Sequence, residues 1–128
     1  MGLKCWRSVK SLLTILFVED ESDLRRVVTE MLVADGFTVL TAADGIDALK
    51  VLHRHDVHVL FTDIIMPVMD GVELARRAKL IRPGLKVLFT TGYVHRATER
   101  KAAQYGPVLF KPWRHTEMIQ ELQALVGA

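Results

Sequence analysis

The sequence predicts an α/β fold: five parallel strands, each followed by a helix, in one open sheet covered on both faces. Three observations predict it. Short apolar runs alternate five times with segments of helical period. Four of the five runs are nearly continuous in apolar residues, as strands buried on both faces are. The chain has 128 residues, half of them hydrophobic, which makes one domain with its own core and leaves little room for a second.

The strands are expected at Leu12–Val18, Thr38–Ala42, Val57–Thr62, Val87–Thr90 and Val108–Phe110. Thr38–Ala42 is the most mixed and reads as an edge strand. Between them run helical stripes. Leu24, Val27, Val28, Met31 and Leu32 form the first, which Gly36 closes. Ile46, Leu49 and Leu52 form the second, and Leu74, Ala75, Ala78 and Ile81 the third, closed by Pro83-Gly84. The last is Met118, Ile119, Leu122, Leu125 and Val126. His95–Tyr105 differs: its small apolar residues are Ala97, Ala102 and Ala103, with no large aliphatic among them, so any helix there is weakly anchored. Right-handed crossovers then give helices on both faces, and the strand order expected is the flavodoxin-like 2-1-3-4-5. Residues 1–10 read as a short N-terminal extension and 11–128 as the domain.

Composition excludes several classes. A net charge of +2 with both signs scattered gives no footprint for nucleic acid or a membrane surface. No apolar run approaches the length of a membrane span, and the basic start MGLKCWRSVKS runs through Leu12–Val18 straight into acid without a small-residue cleavage site. Trp6 stands where a myristoylation signal wants Ser or Thr. The single Cys5 permits neither an internal disulfide nor a multi-cysteine metal site, and suits a reducing cytoplasm. His53, His55, His58, His95 and His115 lack the spacing and the cysteine partners of a zinc site.

In sheets of this kind ligands bind beyond the carboxyl ends of the strands. The first strand runs out into Glu19-Asp20-Glu21, the third into Asp63, the fourth into Thr90-Thr91-Gly92, and the fifth into Lys111-Pro112. Carboxylates gathered on one rim repel one another unless a cation sits among them. With oxygen ligands alone, that cation is hard: Mg²⁺, or Mn²⁺ in its place. A lysine opposite the metal neutralises a transferring phosphoryl group, and a threonine hydroxyl bonds one of its oxygens, the positioning and electrostatics phosphoryl transfer needs. Asp63 is the natural nucleophile, since a carboxylate forms an acyl phosphate.

The segments FVEDES, FTDIIMPVMDG, FTTGY and FKPW resemble the signature segments of the response-regulator receiver family, in the same order and on the same strands, over about residues 12–126. The resemblance implies a cytoplasmic two-component phosphoacceptor rather than an enzyme, served by a sensor histidine kinase or a histidine phosphotransfer protein. By it, Asp63 is the phosphoacceptor, and the Mg²⁺ ligands are Asp20, Asp63, the backbone carbonyl of Ile65 and, through water, Glu19. It makes Lys111 the amine that pairs with the phosphoryl group, Thr91 the switch hydroxyl, and Gly92 and Tyr93 the loop that follows it. Pro112 is a candidate for a cis peptide bond.

Two features depart from the family's usual pattern. Val108 stands where an aromatic switch residue is often found, three residues before the lysine. FTTGY followed by a polar segment resembles a subgroup with an F-A-T-G-type motif, often single-domain proteins whose fourth helix is poorly formed.

Simpler readings compete. Glu19-Asp20-Glu21 also suits an acidic helix start. Asp70-Gly71 reads as the turn and cap before the third helix. Arg25-Arg26 and Arg76-Arg77 read as solvated helix faces, although sensor proteins commonly approach receivers at the first helix. Trp113 is expected to pack over the loop after Pro112. Two other functions fit the same rim: a Mg²⁺-dependent phosphohydrolase turning over on Asp63, and the receiver portion of a hybrid histidine kinase. The first generally needs a second acid two residues after the nucleophile, where this chain has Ile65.

Overall fold

The computed structural model describes residues 9–93 and 95–127. Cys5, Trp6 and the rest of the extension up to residue 8 lie outside the described residues. The elements are β1 (Thr14–Val18), α1 (Ser22–Ala34), β2 (Thr38–Ala42), α2 (Gly45–Arg54), β3 (Val59–Asp63), α3 (Gly71–Ile81), β4 (Lys86–Thr91), α4 (Arg96–Ala103), β5 (Val108–Phe110) and α5 (His115–Val126). All four strand pairings are parallel, and the order is β2-β1-β3-β4-β5.

Alternation along the strands builds two cores. Ile15 and Phe17 of β1, Val59 and Phe61 of β3, and Leu88 of β4 face Val28 and Leu32 of α1 and Met118 and Leu122 of α5. Leu16, Val18, Leu60, Val87 and Phe89 face the other way, against α2, α3 and Ala102 of α4. Because both faces are covered, the inner strands have no polar face to show, which explains their unbroken apolar runs. β2, at an edge, keeps Thr38 and Thr41 exposed.

Leu12 and Leu13 are not part of β1. Residues 9–12 are helical, and the Leu13 N–H bonds the Lys10 carbonyl at 3.2 Å. The strand starts at Thr14, where pairing with Thr38 begins. His95–Tyr105 does hold a helix, of eight residues, and Ala102 is its one buried side chain. The His95 ring accepts from the Thr98 N–H at 3.4 Å and caps it. At the far side of the sheet, His115 at the start of α5 bonds Asp35 at the end of α1.

Candidate functional site

Asp63 is the last residue of β3, and its neighbour in the register is Thr90 on β4. A loop leads from it into α3, with Asp70 capping the helix by accepting the Glu73 N–H at 2.8 Å. Gly71 lets the helix start close against the strand. Its N–H bonds the Ile64 carbonyl at 2.7 Å, and a Cβ there would fall 2.0 Å from the Asp63 carbonyl oxygen. Within the β3–α3 loop, Val68 adopts a left-handed φ of 72°, and Met69 donates to the Pro67 carbonyl at 2.8 Å. A β-branched residue is strained in such a three-residue turn. Buried Met66 and Met69 hold it from either side, and Ile65 is left exposed at the mouth of the site.

The sheet's carboxyl edge brings most of the expected residues together. Glu19, Asp20 and Asp63 each offer a carboxylate oxygen, and these oxygens lie within 4.8 Å of one another. Glu19 and Asp63 are buried, and Asp20 is exposed to solvent. The Lys111 amine stands 2.8 Å from Asp63 Oδ1 and 3.3 Å from Glu19 Oε1. The contact with Asp63 is a short ion pair made to Oδ1, an oxygen buried from solvent. Glu19 is better supplied: its Oε2 accepts the Glu21 N–H at 3.1 Å.

Asp63, Ile65, Thr91, Gly92, Tyr93 and Lys111 line a cleft of about 370 Å³ beside these carboxylates. Thr91 is buried, and its hydroxyl is occupied by the next turn of chain: Oγ1 accepts the Tyr93 N–H at 3.2 Å and donates to the Tyr93 carbonyl at 3.4 Å. The Lys111–Pro112 peptide is cis.

Burial pushes the Asp63 carboxyl up to about 7, and hydrogen bonding to Glu19 adds to this against the opposing pull of Lys111. Burial also acts to raise Glu19, but its bonds to Asp63, the Glu21 N–H and Lys111 outweigh that and hold it below the usual carboxylate range. Burial acts to lower Lys111, and its two carboxylate partners outweigh that and keep it raised. Two buried acids thus share one amine, with the exposed Asp20 beside them. A donor set of three carboxylates, all oxygen, fits a hard divalent cation. Among the described residues this is the only cluster of three such ligand types.

Some contacts escaped the sequence reading. Arg25 is not simply solvated: its Nη1 donates to the Glu19 carbonyl at 2.7 Å and ties α1 to the acidic end of β1. Arg76 and Arg77 both pair with Glu73. Trp113 reaches past its own loop. Its indole N–H donates to Thr90 Oγ1 at 3.0 Å, and its ring lies 6.1 Å from that of Phe61.

Sheet order and this edge together define a phosphoacceptor signalling domain of the α/β class. The chain belongs to the response regulator receiver domain family, which it matches over residues 15–123. It is 37% identical to the response regulator receiver protein CpdR of Brucella abortus (strain 2308) over 116 residues, covering 89% of this chain and 97% of CpdR. It is 36% identical to the sensor kinase CckA of the same organism over 68% of this chain, a match spanning only 9% of CckA. Among solved structures, the response regulator TrrA of Thermotoga maritima in complex with Mg²⁺–BeF superposes with a TM-score of 0.81 at 26% identity, covering 88% of this chain and 98% of TrrA. No helix among the described residues is long and apolar enough to cross a membrane.

Proposed function

We propose that the protein accepts one phosphoryl group on Asp63 from a sensor histidine kinase or a histidine phosphotransfer protein and passes the signal on by changing shape. The observation that carries this reading is the Asp63 carboxylate itself, buried in the cleft with its Oδ1 2.8 Å from the Lys111 amine and with Glu19 and Asp20 beside it. An Asp63 oxygen attacks the phosphorus of the donor. The P–O bond to Asp63 forms as the P–N bond to the donor imidazole breaks, and the imidazole leaves with the bond's electrons. Lys111 neutralises the negative charge brought to the cleft, and Thr91 offers its hydroxyl to one phosphoryl oxygen. Asp20, Asp63 and the Ile65 carbonyl would hold Mg²⁺, with Glu19 joined through water. When bound, the ion would neutralise the phosphoryl oxygens and the crowded acids.

The donor protein has an apolar place to dock next to the cleft, the groove between α1 and the loop after β5. Turnover is confined to the protein's own phosphorylation and to hydrolysis of its acyl phosphate. A phosphohydrolase would need an acid at position 65 to protonate a leaving group, and the exposed Ile65 has no proton to give. The receiver unit is taken as 11–128, with 1–10 an extension to it.

Incubation with acetyl phosphate and Mg²⁺, followed by intact-mass measurement, tests the reading. One phosphoryl mass is expected on the wild-type protein and none on Asp63→Asn, because an amide is no nucleophile here. Sustained release of phosphate from a small phosphomonoester would overturn it in favour of the hydrolase.

A further inference from the structure

Lys111 lines two cavities. One is the phosphoacceptor cleft, and the other is the groove of about 350 Å³ between α1 and the loop after β5, whose walls include Leu24, Val28, Met31, Pro112 and Trp113. A lysine amine sits on a four-carbon stem with large rotamer freedom. Holding it 2.8 Å from Asp63 therefore requires that the backbone beneath it be fixed. β5 ends at Phe110, whose partner on β4 is Thr91.

Two bonds tie this end of the strand to β4, the last rung of the ladder and one beyond it. The Lys111 N–H donates to the Thr91 carbonyl at 2.8 Å. Two residues on, the Trp113 indole N–H donates to Thr90 Oγ1 at 3.0 Å. Pro112, between them, has no N–H to offer. The anchor points are well chosen for rigidity. Thr90 is 1% exposed, pairs in register with Asp63, and accepts the Ile64 N–H on its carbonyl at 3.0 Å. The Trp113 ring rests on Phe61, which lies in turn 5.0 Å from Phe17. Phenylalanine keeps an aromatic ring against this face, although a smaller one. The indole N–H is what a phenyl ring lacks, and it is the atom that reaches β4.

We propose that Trp113 is a positioning residue: by fastening the loop to Thr90 it holds the Lys111 amine in register with Asp63. The inference rests on the phosphoacceptor and lysine roles given above. The test is the rate of self-phosphorylation by acetyl phosphate at saturating Mg²⁺, over a range of donor concentrations. A net hydrogen bond of ordinary strength corresponds to a rate change of about 2- to 12-fold. Trp113→Phe and Thr90→Val should each lower the maximal rate within that span, leave the half-saturating donor concentration unchanged, and combine without further loss. Thr90→Ser keeps a hydroxyl and should restore the wild-type rate. General loosening of the core would give neither that rescue nor the lack of additivity. Wild-type rates in Trp113→Phe, or a Thr90→Ser variant as slow as Thr90→Val, would overturn the inference while Asp63→Asn stays unlabelled. Labelling of Asp63→Asn would overturn the underlying roles and this inference with them.

Discussion

The Lys111 amine touches Asp63 Oδ1 at 2.8 Å and Glu19 Oε1 at 3.3 Å, so two buried acids share a single cation. When a phosphoryl group arrives on Asp63, that amine is the nearest charge to feel it. Lys111→Ala is therefore expected to accept phosphoryl groups slowly and to lose the conformational response. Amide chemical shifts recorded with and without Mg²⁺ and beryllofluoride, a phosphoryl mimic, measure this. A wild-type pattern of shifts in the variant would remove Lys111 from the role.

The acid pair also sets a pH dependence. Asp63 titrates in the folded protein at about 7, against an ordinary value of 3.8. Between those values the folded state holds a proton that the unfolded chain has released, so unfolding becomes easier as pH rises. The stabilising contribution is whole below 3.8 and is lost as pH climbs through about 7. Glu19, held low, acts in the opposite sense, losing its contribution only as pH falls below its ordinary 4.5. Mg²⁺ competes with the Asp63 proton, so the rise in Tm that it brings should be larger at about pH 8 than at about pH 5.5. Asp63→Asn should flatten that difference, and an equal rise at both pH values would place the proton elsewhere.

Asp20 is exposed where Glu19 is buried and already bonded, which separates their roles toward a metal. Removing a carboxylate that supports a metal through another ligand typically costs about 10- to 100-fold in affinity. Glu19→Gln should fall in that range and Asp20→Ala should weaken Mg²⁺ by more. Titration calorimetry gives both constants, and unchanged affinity in Asp20→Ala would move the cation off this edge.

A methyl group on Gly71 has nowhere to go, since its carbon would fall 2.0 Å from the Asp63 carbonyl oxygen. Gly71→Ala should cost about 1–3 kcal/mol of stability by overpacking and slow phosphorylation by displacing the nucleophile. Denaturant melts and the labelling rate read the two effects, and a variant as stable and as fast as wild type would contradict the close approach of α3.

Thr91 cannot bond a phosphoryl oxygen and keep its hydroxyl proton on the Tyr93 carbonyl. Phosphorylation should therefore release Tyr93 and disturb the segment leading into α4. That helix buries only Ala102, so little apolar area offsets its ordering entropy. Amides of residues 95–105 should exchange faster than those of α1, with beryllofluoride changing their protection and Thr91→Val abolishing the change. Protection equal to that of α1 in both states would call for a rigid output surface.

Much of this was legible in the sequence because the strands are short, apolar and end in chemistry. Val108–Phe110 and Thr38–Ala42 stand at the positions their patterns suggest. The acids, Thr91 and Lys111 converge because parallel strands present their carboxyl ends together. Leu12 and Leu13 misled because a short apolar run does not by itself separate helix from strand. The bonds from Trp113 to Thr90, Arg25 to Glu19 and His115 to Asp35 join residues 23, 6 and 80 positions apart. Such contacts follow from how elements pack against one another, which no local pattern records.

The most direct test is chemical trapping of the modified residue. Borohydride reduces an aspartyl phosphate to homoserine and leaves a free carboxylate untouched. After incubation with acetyl phosphate and Mg²⁺, reduction and peptide mapping should place homoserine at position 63 and at no other acid. Homoserine at position 20, or a phosphoryl group retained on a serine, threonine or histidine with Asp63 intact, would contradict the assignment of Asp63 as the phosphoacceptor.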